Sequence, residues 1–191
     1  MSQAAMTLSK SELNELKKAP AVEGVLPVIH HRWSPRAFAD RAVEPEKLAK
    51  VFEAARWAAS SFNEQPWRYL VGRRGDETYK KIFESLGEFN QAWAGKAPVL
   101  ILGAASSYLT LEAFALGLAA HQMAGYDRDA ARAALGIPEE YALGAVIALG
   151  YQGEPWALSH QKMLEQEVAP RSRKALGDFV FSAWDEAAKL G

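Results

Sequence analysis

Apolar positions recur at helical spacing in Leu48, Val51, Phe52 and Ala55, behind a Pro45 suited to a first helical turn. This predicts a helix running to about Ala58. Tyr79, Ile82, Phe83 and Leu86 repeat the pattern, with Asp76 as cap and Gly72 and Gly75 bracketing the exit of a strand over residues 67–73. Pro98 opens an apolar strand over Val99–Gly103, and residues 145–151 read as a third strand. From 109 to 123 the chain is apolar almost all round, which predicts one helix buried on several sides. A short helix from Asp127 stops at Gly136. Ser159 opens a further helix that ends before Pro170. Residues 179–181 form a short β-like run, and Ser182 caps a terminal helix.

At the N-terminus, Ser9 and Glu12 have capping-box spacing ahead of a thin stripe of Leu13 and Leu16, which Pro20 closes. Residues 25–32 receive no element, and residues 87–95 read as a loop. With no repeat, low-complexity tract or internal linker, this order predicts an α+β fold with more helix than strand. Residues 1–20 form an N-terminal helical extension, and residues 21–191 form a single domain. A length of 191 residues fits that count.

Charge and cysteine content then narrow the function. Lys and Arg number 22 against 23 Asp and Glu, a net charge of −1, which argues against a nucleic-acid binder built on a broad positive field. The absence of cysteine excludes disulfides, thiolate metal sites, iron–sulfur clusters and cysteine nucleophiles, and it fits a cytoplasmic setting. No segment approaches the roughly 18 apolar residues of a membrane span. The first 18 residues lack a signal peptide's apolar core. Neither common nucleotide loop, no nucleophile elbow and no H-E-x-x-H arrangement occurs. Of the four histidines, the adjacent His30 and His31 read as one surface and one packed residue, with no metal site.

Three features carry candidate chemistry. Arg32-Trp33-Ser34-Pro35-Arg36 sets two arginines four apart with a hydroxyl between them, and Arg171-Ser172-Arg173-Lys174 repeats the basic character far away in sequence. Guanidinium forks match the three acceptor oxygens and double charge of a phosphate monoester. Each charge-assisted bond is worth about 1.5–3 kcal/mol, so three or four could anchor a phosphorylated cofactor. Either cluster alone is equally readable as a solvated face. The third feature is the loop Ala59-Ser60-Ser61-Phe62-Asn63-Glu64-Gln65-Pro66-Trp67, whose hydroxyls and amides suit the edge of a flat heterocycle or the loop's own carbonyls.

Together these pieces resemble the nitroreductase family of FMN-dependent NAD(P)H oxidoreductases. Residues 32–38 are similar to its opening R-R-S-x-R-x-F, and residues 55–67 to its A-A-x-x-A-P-S-x-x-N-x-Q-P-W. Gly117-Leu118 with Met123-Ala124-Gly125-Tyr126-Asp127 resembles the G-L…x-x-G-F-D segment. Ile137-Pro138-Glu139 and Ala148-Leu149-Gly150-Tyr151 resemble the late I-P-E and A-x-G-Y signatures, and Arg171-Ser172-Arg173-Lys174 with Phe179 the closing R-x-R-K…F. The likeness runs from about Val25 to the end. It departs at Trp33, where a second basic residue is usual, and at Ala59, where proline is usual.

The resemblance implies a mixed or antiparallel sheet flanked by helices in an intertwined homodimer, with residues 179–181 crossing to the partner's sheet. It implies an FMN site in which Arg32, Ser34, Arg36, Arg171 and Arg173 meet the phosphate and ribityl side, with Trp33 in the same run. Ala59, Ser60, Ser61, Asn63 and Gln65 would reach the flavin from the partner subunit. Asn90 would stand at the ring edge, and Ala124 and Gly125 would offer backbone N–H groups near the reactive ring nitrogen. The implied activity is ping-pong transfer of a hydride from NADH or NADPH to a nitroaromatic, quinone or similar small electrophile. No side chain is expected as a general acid; His121 and Tyr126 read as structural. Residues 87–95 and the Ser106-Ser107-Tyr108 stretch are candidate linings for the acceptor. A non-catalytic flavin store or sensor, or a divergent flavin enzyme of the same fold, is the alternative.

Overall fold

The computed structural model describes residues 8–103, 107–183 and 186–188. The chain opens with α1 (Lys10–Leu16), capped by the expected reciprocal pair: Ser9 Oγ accepts from Glu12 N, and the Glu12 carboxylate accepts from Ser9 N. α2 (Pro27–His31) follows, then α3 (Pro45–Arg56) with Pro45 at its start. β1 (Tyr69–Arg73) leads to α4 (Glu77–Ser85), where Asp76 Oδ1 accepts from Tyr79 N at 2.6 Å. Next come α5 (Glu88–Ala94), β2 (Val99–Gly103), α6 (Ser107–Ala115) and β3 (Ala119–Met123). α7 (Arg128–Leu135) ends at Gly136, and β4 (Ala145–Gly150), α8 (Gln161–Val168), β5 (Phe181–Ala183) and β6 (Glu186–Ala187) complete the order.

Four strands form one antiparallel sheet in the order β1-β2-β4-β3. Its two central strands are buried on both faces, and alternation assigns each residue to a layer. Leu100, Leu102, Val146 and Ala148 pack with Tyr79, Ile82 and Leu86 around α4, Trp93 of α5 and Met163 of α8. Val99, Ile101, Ile147 and Leu149 face the other way, onto Val51 and Ala55 of α3 and Leu109 and Ala113 of α6. An α+β sandwich with helices on both faces of an antiparallel sheet results.

The structure departs from the sequence reading in six places. The helix expected over 109–123 is α6 followed by β3, because the chain turns at Gly117, whose φ of 76° belongs to the left-handed region. The mostly apolar run is a short helix plus a short strand, which periodicity alone does not separate. Residues 25–32 and 87–95 contain α2 and α5 rather than only loop. The N-cap of α8 is His160, not Ser159, and it makes no side-chain cap bond. Past Ser182 no terminal helix forms where the chain is described; β5 pairs antiparallel with β6. The strand expected from Trp67 begins at Tyr69.

The N-terminal segment is tied to the rest of the chain. Leu13 is fully buried, and Trp33 Nε1 donates to Asn14 Oδ1 at 2.9 Å. No helix of the described residues is long and apolar enough to cross a membrane.

Candidate functional site

After α2 the chain runs extended, and alternation turns the R-x-S-x-R spacing into a surface. Trp33, Pro35 and Ala37 are buried, whereas Arg32, Ser34 and Arg36 are half-buried and share one side. Three anchors hold this run. The Glu167 carboxylate, only 1% exposed on α8, accepts from Arg36 N at 3.0 Å to each oxygen and from Ala37 N at 3.2 Å. His121 Nδ1 donates to the Pro35 carbonyl at 3.1 Å. The Trp33 indole is fixed on Asn14, so it supplies a wall rather than a donor.

Residues 171–173 close over this side. A cavity of about 460 Å³ is lined by Arg32, Ser34, Arg171 and Arg173, together with Ile29, Ser107, Thr110, Leu111, His121 and Gln122. A second cavity of about 190 Å³ shares the same four residues and adds Lys17, Trp33, Arg36, Gln166 and Glu167. The two basic clusters, far apart in sequence, therefore share one cleft. Arg171 Nη1 donates to the carbonyls of Lys17 (2.9 Å) and His30 (3.1 Å), and Arg32 Nη1 donates to Ser34 Oγ at 3.3 Å. The Arg36 guanidinium lies 5.9 Å from the Phe89 and Trp93 rings, and its Nε is buried without a partner among the described residues.

The electrostatics of the cleft are one-sided. Among the described residues, Glu167 is the single carboxylate lining either cavity, against Lys17, Arg32, Arg36, Arg171 and Arg173. Burial pulls the pKa values of Arg32, Arg36, Arg171 and Lys17 down; neighbouring cations add to this for Arg32, Arg171 and Lys17, and Glu167 opposes it for Arg36 and Lys17. Burial also pushes the Glu167 carboxyl up, against its two backbone donors and the charges of Arg36 and Lys17. Arginines remain charged throughout. What such a cleft can do is hold an anion with several acceptor oxygens.

His121 sits in the wall with its ring 4.5 Å from that of Trp93. Removal from water, reinforced by Arg36 and Arg32, pushes its pKa down to about 4, so it is neutral at pH 7. Tyr126 donates its hydroxyl to the Gly144 carbonyl at 2.6 Å. Both residues thus have structural partners.

Asn90, Ala124 and Gly125 line neither basic cavity; Asn90 Nδ2 donates to the Gly125 carbonyl at 2.8 Å, and Gly87 N donates to the same oxygen at 3.1 Å. Asn90, Ala124 and Gly125 are therefore neighbours, with Ala124 and Gly125 exposed. Ser106 lies outside the described residues; Ser107 lines the larger basic cavity.

The loop after α3 lies apart. None of Ala59, Ser60, Ser61, Asn63 or Gln65 lines either basic cavity. Some of its polar groups satisfy the loop itself: Gln65 N donates to Ser60 Oγ at 3.0 Å, and Gln65 Nε2 donates to the Asn63 carbonyl at 3.3 Å. Phe62, Asn63 and Gln65 have φ of 49°, 57° and 48°, uncommon for residues with a Cβ, and Phe62 is 96% exposed at the tip. Glu64, Pro66 and Trp67 border a separate, largely apolar cavity of about 810 Å³ that extends to Ile137, Pro138 and Tyr141.

Two residues of the basic cleft, Lys17 and Glu167, escaped the sequence reading. The signal was there: each is a charged residue at the spacing of a buried stripe, Lys17 four after Leu13 and Glu167 three after Leu164.

Comparison with known proteins gives a family and a fold. The model of the nitroreductase family matches residues 29–100, which span the Arg32–Arg36 run and the 59–67 loop. A protein of Archaeoglobus fulgidus, assigned by inference as an NADH dehydrogenase/NAD(P)H nitroreductase, is 30% identical over 68% of this chain and 86% of its own length. An NADH dehydrogenase of Thermus thermophilus is 27% identical over 77% of this chain and 98% of its own. Among solved structures, an oxidoreductase containing FMN superposes with a TM-score of 0.77 at 29% identity, covering 87% of this chain and 94% of the other. The FMN- and NADPH-dependent nitroreductase NfnB of a Sphigopyxis strain shares the fold, with a TM-score of 0.63 at 18% identity over 80% of this chain and 96% of its own. By sequence, fold and the order of its motifs, this chain belongs to the nitroreductase family, and it is an oxidoreductase.

Proposed function

We propose that the basic cleft holds FMN and that the protein is an FMN-dependent NAD(P)H oxidoreductase. The convergence of Arg32, Arg36, Arg171 and Arg173 on one cleft carries this reading. The residues present fit the group. A phosphate monoester answers the excess of cations over the single carboxylate, and the unpartnered Arg36 Nε lies at the same place. Arg32, Ser34, Arg36, Arg171 and Arg173 hold the phosphate and ribityl side, with Trp33 as a wall. Asn90, Ala124 and Gly125 border the ring side.

Held by Arg32, Ser34, Arg36, Arg171 and Arg173, FMN would supply the redox chemistry when bound, namely hydride transfer from NADH or NADPH to a nitroaromatic, quinone or similar small electrophile, with donor and acceptor in turn. The chain's own side chains position and desolvate; the neutral His121 packs the wall rather than exchanging protons.

The 59–67 loop completes the site in a homodimer, Ala59, Ser60, Ser61, Asn63 and Gln65 approaching the cofactor of the second copy. The exposed Phe62 and the apolar surface of Val22, Val25, Leu26 and Ile29 beside the cleft support such an interface. Anaerobic reduction tests the activity. Purified protein loaded with FMN loses its yellow colour on addition of NADH or NADPH, and the colour returns on addition of a quinone. Persistence of the colour with both donors refutes an oxidoreductase fed by nicotinamide.

A further inference from the structure

The proposed FMN site leaves one buried charge unassigned to the cofactor. Lys17 is the residue that caps the C-terminus of α1 and is 5% exposed. Because it lies four residues after the fully buried Leu13, its side chain turns inward, towards the cleft rather than solvent. Its Nζ donates to the carbonyls of Ala169 (2.5 Å) and Gln166 (3.3 Å) and stands 4.8 Å over the Trp33 ring. Those two carbonyls take two of the three protons an ammonium carries. The same side chain lines the 190 Å³ cavity beside Arg36, Arg171 and Arg173.

The backbone of Lys17 acts there too. Its carbonyl accepts from Arg171 Nη1 at 2.9 Å, so α1 fixes the direction of one of the four arginines. α1 therefore enters the cleft twice, through an ammonium and through a carbonyl. Burying an ammonium among Arg36 and Arg171 is unfavourable by itself, and the single Glu167 carboxylate offsets only part of the repulsion. An anion in the cavity removes the remainder.

We propose that Lys17 is a fifth cation of the phosphate site, delivered by the N-terminal helix, and that docking of α1 and binding of the FMN phosphate reinforce one another. This rests on the FMN reading above. The coupling is reciprocal: whatever affinity Lys17 adds to the phosphate, the phosphate returns as tighter docking of α1. The Trp33 indole is the surface over which the Lys17 ammonium lies.

The test titrates the full-length protein with FMN and with riboflavin, which lacks the phosphate, following quenching of flavin fluorescence. Lys17→Met removes the charge and keeps the packing. FMN affinity falls about tenfold, the size of one charge-assisted hydrogen bond, while riboflavin affinity is unchanged and Lys17→Arg restores most of the loss. Arg36→Ala serves as the control for the site itself. If Arg36→Ala loses FMN and Lys17→Met does not, the role of Lys17 is overturned and the cleft stands. If both variants bind FMN as the parent does, the cleft reading falls and this inference with it. Hydrogen exchange of the unmodified protein supplies a readout independent of folding of the variants. Amides of residues 10–17 exchange more slowly with FMN bound than with riboflavin bound, and equal rates overturn the coupling.

Discussion

Truncating Glu167 to Ala tests how the arginine run is held. The parent carboxylate takes Arg36 N at 3.0 Å and Ala37 N at 3.2 Å and is the one anion facing five cations among the described residues. Each N–H bond to a charged acceptor is worth about 1.5–3 kcal/mol, and both donors are left without it after truncation. Removing one partner from a buried charge arrangement costs about 3–5 kcal/mol. We take about 3 kcal/mol, the lower end of that range. In a chain of this size that lowers Tm by about 10 °C, read by circular dichroism in low-salt buffer. Inorganic phosphate recovers part of the loss by neutralising the same cations, whereas chloride at equal ionic strength recovers less. A Tm within about 2 °C of the parent refutes the idea that Glu167 organises the Arg32–Arg36 run.

The other predictions rest on single observations. His121 has a folded pKa of about 4 against an ordinary 6.5, so the unfolded chain takes up its proton first. Its contribution is complete above pH 6.5 and is lost as pH falls towards 4. The loss reaches about 3 kcal/mol, and unfolding curves of His121→Gln are flatter across that window than those of the parent. Leu13→Ala costs about 2–5 kcal/mol of global stability if α1 belongs to the core, and urea titration showing no change would make α1 an appendage. Gly72→Ala places a Cβ 2.3 Å from Tyr79 N, where α4 crosses β1; with backbone unable to yield, about 2–3 kcal/mol is lost in thermal unfolding. Arg173→Ala releases FMN on gel filtration while leaving the far-ultraviolet spectrum intact, and full retention of flavin removes its phosphate role.

Local chemistry made much of this legible. Ser9, Asp76, Pro45 and Gly136 mark helix ends because each satisfies a terminal need that sequence displays directly. The strand Val99–Gly103 was readable because Pro98 and a continuous apolar run bound it. Residues 109–123 were not, since a short helix and a short strand that are both mostly apolar follow one another without a break in the apolar pattern. α5, seven residues long like α1, lacks the capping side chain that marked α1. In the cleft, Arg32, Ser34 and Arg36 were visible through their alternation, which needs no long-range information. Lys17 and Glu167 join it through packing of α1 and α8; their stripe spacing marks them as buried, but which cavity they reach depends on long-range packing. The 59–67 loop lines neither basic cavity of its own chain, and the proposed homodimer, which would bring it to a second copy's cleft, leaves no trace in one chain's contacts.

The most direct test of the basic cleft is the ratio of FMN to riboflavin affinity of the unmodified protein, by isothermal titration at low salt. Five cations around one phosphate predict FMN binding at least about a hundredfold tighter than riboflavin, with inorganic phosphate narrowing the gap. Equal affinities, or a gap that phosphate leaves untouched, would contradict it.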